Sequence, residues 1–117
     1  MRIFPLLLLL LCAGAPALGA GFIGPGAGEP VRRASDVLSA TDDTQCVLEG
    51  HIVAKLQARK HRYLFEDESG QVVVEIKRKA FGAQTVTPQN RVRLEGEVNS
   101  SRKYPNEMDV ERLTVLD

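Results

Sequence analysis

The sequence predicts a small all-β domain, a five-stranded barrel with one short helix before the first strand and one helical turn between the third and fourth strands. Three observations support this prediction. Apolar and polar side chains alternate through five separate segments, which is typical of half-buried strands. The segments run as three strands, a helical turn and two strands within about 75 residues. The tripeptide Leu-Glu-Gly occurs twice, at 48–50 and at 94–96.

The first elements are a short helix and a long strand. The helix is predicted over residues 36–40, because Ser35 can cap it and Asp36 lies near the positive end of its dipole. The first strand is predicted over residues 45–56, with the even-numbered side chains on one face and the odd-numbered ones on the other. The alternation indicates a strand that is buried on one face.

A hairpin and a helical turn follow. The second and third strands are predicted over residues 63–66 and 71–77, joined by the turn sequence Asp67-Glu68-Ser69-Gly70. Residues 78–81 can form one helical turn, which ends at Gly82.

The last two strands are predicted beyond Pro88. The fourth strand presents Val92, Leu94, Gly96 and Val98 to the interior. The fifth is predicted over residues 108–116, where the apolar residues change parity midway, as a β-bulge requires.

This order of elements in so short a chain fits the OB-fold, a five-stranded Greek-key barrel. Glycine weakens a strand interior, so Gly50 and Gly96 at matching places indicate sharp bending of long strands that serve both halves of the barrel. A chance match of three residues is the alternative. The OB-fold domain is predicted over residues 34–117.

The N-terminal region predicts export. Residues 1–20 have the pattern of a secretory signal peptide, in which Arg2 precedes a leucine-rich run and small residues lead to cleavage near Ala20. A membrane anchor and a lipoprotein anchor at Cys12 are the alternatives, but the apolar run is shorter than the roughly 20 residues that a span needs. Residues 21–33 predict a flexible leader rich in glycine and proline. We expect no membrane span after cleavage.

Charge and cysteine content narrow the function. Cleavage would leave 97 residues, enough for one small domain, with acidic and basic side chains almost balanced. Nucleic acid is therefore an improbable partner, because its binders normally carry a basic excess. Cys46 would have no partner for an internal disulfide, and its place in a strand predicts a buried thiol, with a reactive thiol as the alternative.

No pattern indicates catalysis or a cofactor. The chain has two histidines, His51 on the polar face of the first strand and His61 in a basic segment, and no serine lies in a nucleophile motif. Asp42-Asp43 and Asp67-Glu68 supply too few oxygens for a divalent cation. The sequence predicts no catalytic residue, no metal and no cofactor.

Two basic clusters predict a ligand surface. They are Arg59-Lys60-His61-Arg62 and Lys77-Arg78-Lys79, and both fall at ends of the first three strands. In OB-folds, strands two and three and their bordering loops form the usual ligand surface. Cations would contact an anionic sugar, a lipid headgroup or an acidic protein patch, and a tyrosine would stack on a sugar ring. The predicted site residues are Arg59, Arg62, Tyr63, Lys77 and Arg78.

Neutralisation is the alternative interpretation of these cations. Glu66, Asp67, Glu68 and Glu75 lie on the neighbouring strands and their turn, where they could pair with the basic side chains. The surface would then be an ordinary mixture of charges.

Several motifs together carry a resemblance to a known family. They are GFIGPG at 21–26, Asp42-Asp43-Thr44, Leu48-Glu49-Gly50-His51-Ile52-Val53, Tyr63-Leu64-Phe65-Glu66-Asp67, Val74-Glu75-Ile76, Val86-Thr87-Pro88 and Leu94-Glu95-Gly96-Glu97-Val98. With these motifs the chain resembles the bacterial OB-fold (BOF) family of small periplasmic proteins over nearly everything after the signal sequence.

The resemblance implies a Gram-negative periplasmic protein linked to envelope stress tolerance, with no catalytic motif and without the usual nucleic-acid-binding residues. It implies a binder of small ligands, cell-wall sugars or partner proteins. Cys46 departs from the family pattern, since similar proteins often carry valine there. Two alternatives stay open: a protein-interaction module that adds a partner strand to a barrel edge, and an exported single-strand nucleic-acid binder, for which the chain has few aromatic side chains.

Overall fold

The computed structural model describes residues 28–117. The predicted signal peptide and the first part of the predicted leader lie outside the described residues. Within the described part of the leader, Val31 forms an isolated parallel bridge with Cys46. The Val31 N–H donates to the Gln45 carbonyl, and the Val31 carbonyl accepts from the Val47 N–H, both at 2.8 Å. No helix in residues 28–117 is long and apolar enough to cross a bilayer.

All five predicted strands and both helical segments are present, with small shifts at their ends. In chain order they are α1 (Ala34–Val37), β1 (Gln45–Lys55), β2 (Arg62–Asp67), β3 (Gly70–Ile76), α2 (Arg78–Phe81), β4 (Val92–Asn99) and β5 (Glu107–Val115).

The start of α1 differs from the sequence prediction. Ser35 lies inside the helix. The N-cap residue is Arg33, and its side chain makes no capping hydrogen bond. Instead, the β2–β3 turn supplies the acceptors: Asp67 Oδ2 accepts from the Ala34 N–H and Ser69 Oγ accepts from the Ser35 N–H, both at 2.9 Å. A tertiary contact therefore satisfies the free N–H groups that a local cap would otherwise satisfy.

The strands close into a barrel in the order β1-β2-β3-β5-β4. The long strand β1 serves two partners, because Gln45–Gly50 pairs with β4 and His51–Lys55 pairs with β2. Strands β3 and β5 are parallel, and the other strand pairs are antiparallel. This arrangement confirms the OB-fold prediction.

The two Leu-Glu-Gly glycines lie where a neighbouring strand leaves no space for a side chain. A side-chain carbon at Gly50 would collide with the Glu66 carbonyl oxygen and lie 2.8 Å from Phe65 Cζ. One at Gly96 would collide with the Asp109 carbonyl oxygen. Neither glycine has a positive φ. Both positions therefore require glycine for space, and the close approach explains the sequence repeat.

The predicted bulge in the fifth strand is present. Gly96 pairs with Val110 while Glu95 pairs with Arg112, so Glu111 is the extra residue of β5. The extra residue reverses the inward-facing parity between Val110 and Leu113, both of which are buried.

Within residues 28–117, fifteen apolar side chains form the buried core, and of the fully buried ones Phe65, Leu48 and Ile76 are the largest. Cys46 is fully buried in it, which confirms the prediction of a packing thiol. Burial raises the pKa of the Cys46 thiol to about 12. The thiolate is therefore scarce at neutral pH, and the thiolate is the form that performs cysteine chemistry.

Candidate functional site

The two basic clusters lie at the same end of the β2–β3 hairpin. Arg62, the first residue of β2, pairs with Glu75 near the end of β3. The Ile76 N–H donates to the His61 carbonyl at 2.9 Å, which continues the pairing into the β1–β2 loop (residues 56–61). Lys77 and Arg78 follow β3 directly. The strand register therefore brings together two segments that are separate in the sequence.

Tyr63 points away from this surface. It shares the inner face of β2 with the fully buried Phe65, and its ring packs edge-on against Phe81 of α2, with centroids 5.5 Å apart. Successive side chains of a strand point to opposite faces, so Arg62 and Tyr63 cannot present their side chains to one ligand surface. The ring serves packing at the barrel end, and the predicted stacking of Tyr63 on a sugar has no support in this geometry.

Arg78 is exposed at the first position of α2. No ion pair or side-chain hydrogen bond formed between residues 28–117 includes it. The structure thus places Arg78 at the border of the hairpin end without linking it to Arg59 or Arg62.

Glu107 organises the centre of the site. It is the first residue of β5, and only 5% of it is exposed. Arg62 Nε donates to Glu107 Oε1 at 2.9 Å, and the Arg59 guanidinium pairs with both carboxylate oxygens. This pairing raises the pKa of Arg59, which stays charged. Glu107 is not predictable from the sequence, because nothing local distinguishes it from other acidic residues on exposed strand faces.

Arg62 holds the β1–β2 loop against the barrel. Besides Glu107, its guanidinium contacts Glu75 Oε2 at 3.1 Å and donates to the Lys60 carbonyl at 3.0 Å. Its side chain is therefore occupied by structural contacts.

The neutralisation alternative is confirmed for one of its four carboxylates. Glu75 pairs with Arg62, whereas Asp67 binds the start of α1. Glu66 and Glu68 take part in no ion pair within the described part of the chain. Glu107, which the alternative did not include, pairs with both Arg59 and Arg62.

Arg59 joins two loops. Its Cζ lies 3.6 Å from the centroid of the Tyr104 ring, a cation–π contact with the β4–β5 loop (residues 100–106). Lys103 Nζ lies 5.6 Å from the same centroid. These two loops border the usual ligand surface of OB-folds. Arg59 and Tyr104 are 45 positions apart in the chain, so no local pattern predicts their contact.

Carboxylates balance the cations on the adjoining barrel face. Asp109 pairs in register with Glu75, and burial raises the pKa of Asp109, as does the Glu75 carboxylate. The charge of Lys77 acts to lower the pKa of Asp109, so it lies near the Asp109 carboxylate.

The loops carry the positive excess. The side chains of Lys60, Arg102 and Lys103 are exposed, and no ion pair between described residues includes them. We call this region the loop junction, defined as Arg59, Lys60, Arg102, Lys103 and Tyr104.

Comparison with protein families and curated proteins gives consistent matches. The model of the family described as Bacterial OB fold (BOF) protein matches residues 13–115. The Calcium-regulated OB-fold protein CarO of Pseudomonas aeruginosa is 34% identical over 116 residues, covering 99% of this chain and 97% of CarO. Protein YgiW of Escherichia coli strain K12 is 33% identical over 105 residues, covering 78% of each protein.

Solved structures show the same architecture. The structure of the hypothetical protein YgiW from E. coli has a TM-score of 0.68 and 33% identity, and the match covers 84% of this chain and all of that chain. A chain of the S. pombe Stn1–Ten1 complex has a TM-score of 0.57 at 10% identity, covering 77% of this chain and 79% of that one. At so low an identity the second likeness shows the fold alone.

Proposed function

The chain belongs to the bacterial OB-fold family, and on that premise we propose that it is a non-enzymatic periplasmic protein that binds an anionic ligand at the loop junction. The ligand class is a carboxylate- or phosphate-bearing molecule derived from the cell wall, and the context is envelope stress tolerance. The signal-peptide pattern of residues 1–20 supports the periplasmic location.

The contact of Arg59 with both loops is the observation that carries the proposal. Glu107 accepts hydrogen bonds from two of the guanidinium N–H groups, and a guanidinium has five. The Arg59 side chain is 22% exposed, which leaves part of it open to a ligand. A fixed and partly free guanidinium is suited to a carboxylate or phosphate, because its orientation costs little further entropy.

The surrounding charge favours an anion. Lys60, Arg102 and Lys103 add three exposed cations around Arg59. Clustered charges of one sign raise the local concentration of oppositely charged molecules and their rate of association. Lys77 and Arg78 border the same end of the hairpin and extend the positive region.

Binding is favoured over catalysis by the way the ionisable groups are used. Glu107 and Arg62 are engaged in contacts that hold loop and strands together. A general acid or base must instead exchange a proton with a substrate within hydrogen-bond reach. The arrangement therefore supports reversible occupancy of a prepared surface.

Reversing two loop charges tests the proposal. In calorimetric titrations with a purified anionic muropeptide at low salt, we expect the Lys60→Glu/Lys103→Glu variant to bind at least about tenfold more weakly than the native protein. Both side chains are exposed, so the variant should fold normally, which a thermal melt checks.

The Arg93→Glu/Arg112→Glu variant is the control, because it changes the net charge equally at side chains that are 40% and 70% exposed and lie outside the loop junction and both basic clusters. Its affinity is expected to stay near the native value. The proposal is wrong if the muropeptide does not bind the native protein, or if both double variants weaken binding equally.

A further inference from the structure

A cleft separate from the loop junction lies on the barrel surface where β1 passes from β4 to β2. Its volume is about 850 Å³, within the range of small-molecule sites. Gly50, His51 and Val53 of β1 contribute to its lining. Arg32 and Arg33 before α1, the segment from Glu66 to Ser69, and Pro88 and Arg91 of the β3–β4 connection also line it. None of the residues of the loop junction lines it.

Hydrogen bonds hold two parts of the lining in place, the turn beside Arg33 and the segment at Pro88. The turn accepts from the N–H groups of Ala34 and Ser35 at 2.9 Å, which fixes the position of the neighbouring Arg33. Ser69 donates its N–H and its hydroxyl to Asp67 Oδ1 at 2.8 and 2.6 Å. On the other side, His51 Nδ1 lies 3.0 Å from the Pro88 carbonyl oxygen. The cleft is thus preformed, which lowers the cost of binding.

Several charged groups of the lining are already used. Burial would raise the pKa of Asp67, but the hydrogen bonds from Ser69 and the Ala34 N–H hold it below its usual value. Glu49 pairs with Arg91 at 3.2 Å and with Arg93 at 2.8 Å. These groups shape the cleft and have little capacity left for a ligand.

Two cations and two carboxylates remain available. No ion pair formed within residues 28–117 includes Arg32, Arg33, Glu66 or Glu68. Residues 1–27 contain no aspartate or glutamate that could neutralise the two arginines. The arginines and the acidic turn are neighbours, because the hydrogen bonds from Ala34 and Ser35 join their segments.

From this arrangement we propose that the cleft binds a short zwitterionic peptide, with its carboxylate at Arg32 and Arg33 and its ammonium group at Glu66 and Glu68. A simple anion would face the two glutamates, and a simple cation would face the two arginines. A molecule with both charges satisfies both the arginines and the glutamates. Val53 and Pro88 offer apolar contact to small side chains between the charged ends.

Titration with dialanine and its two blocked forms tests the proposal. Amide chemical shifts of the ¹⁵N-labelled protein report the binding. Dialanine is expected to shift Gly50, His51 and Ser69 in a saturable way below about 10 mM. N-acetyl-dialanine keeps only the carboxylate and dialanine amide keeps only the ammonium group, so each is expected to bind at least about tenfold more weakly.

Substitutions of the two arginines and of the two glutamates provide the second part of the test. We expect each of two double variants to bind dialanine at least about fivefold more weakly than the native protein. They are Arg32→Gln/Arg33→Gln and Glu66→Gln/Glu68→Gln. The Arg112→Gln variant, outside the cleft, is expected to leave the affinity unchanged. The proposal is overturned if a blocked form binds as well as dialanine, if dialanine shifts no cleft amide, or if both double variants retain native affinity.

Discussion

Replacing Gly96 with alanine is expected to lower the free energy of unfolding by about 3–5 kcal/mol. The added carbon would collide with the Asp109 carbonyl oxygen and lie 3.0 Å from Val110 Cα. These are backbone atoms of β5, so relief requires β4 and β5 to separate at the bulge. Urea denaturation followed by circular dichroism measures the loss.

Gly82→Ala is the matched control. Gly82 has a φ of 59° and nothing lies near its missing side chain. Its ψ is −133°, a backbone conformation that is costly for residues with a side chain, so alanine there has only that strain, about 1–3 kcal/mol. If Gly96→Ala destabilised the protein no more than Gly82→Ala does, close strand approach would not explain the glycine of the second Leu-Glu-Gly tripeptide.

Replacing Glu107 with glutamine is expected to lower the free energy of unfolding by about 2–4 kcal/mol. Glutamine keeps the shape of the side chain but removes the charge that Arg59 and Arg62 share. The Glu107 side chain is only 7% exposed, so water cannot replace the lost carboxylate. The same urea titration measures the effect.

Glu49→Gln is the control for this prediction. Glu49 also pairs with two arginines, Arg91 and Arg93, but its side chain is 42% exposed. Solvent screens such pairs, and their contribution to stability is small. We expect little change in this variant. Equal losses for Glu49→Gln and Glu107→Gln would contradict the role assigned to burial at Glu107.

The strands and their order followed from sequence because they depend on local alternation. A strand with one buried face must place apolar side chains at every second position, and β3 and β4 do so throughout. Strand β1 does so as far as Ile52, where a bulge shifts the register and leaves Ala54, predicted to face inward, exposed. Even the bulge at Glu111 was visible as a change of parity. The start of α1 was not predictable in this way, because its hydrogen-bond acceptors, Asp67 and Ser69, are more than thirty residues away.

The candidate site was predictable only in part. The basic segments were visible, and the hairpin register brings them to one end. Their acidic partner Glu107 and the ring of Tyr104 come from β5 and the loop before it, and both contacts depend on barrel closure. The alternation that defines β2 places Tyr63 on the face opposite to Arg62, where its ring packs against Phe81.

Barrel closure brings the β1–β2 and β4–β5 loops together through Arg59. Proton NMR of the folded protein tests it directly, because a guanidinium stacked 3.6 Å from a ring centroid lies within the reach of nuclear Overhauser effects and ring-current shifts. We predict cross-peaks between the Arg59 δ protons and the Tyr104 ring, with upfield shifts that disappear in Tyr104→Leu. Arg59 δ protons at random-coil shifts, without cross-peaks to Tyr104, would show that the two loops do not meet through Arg59.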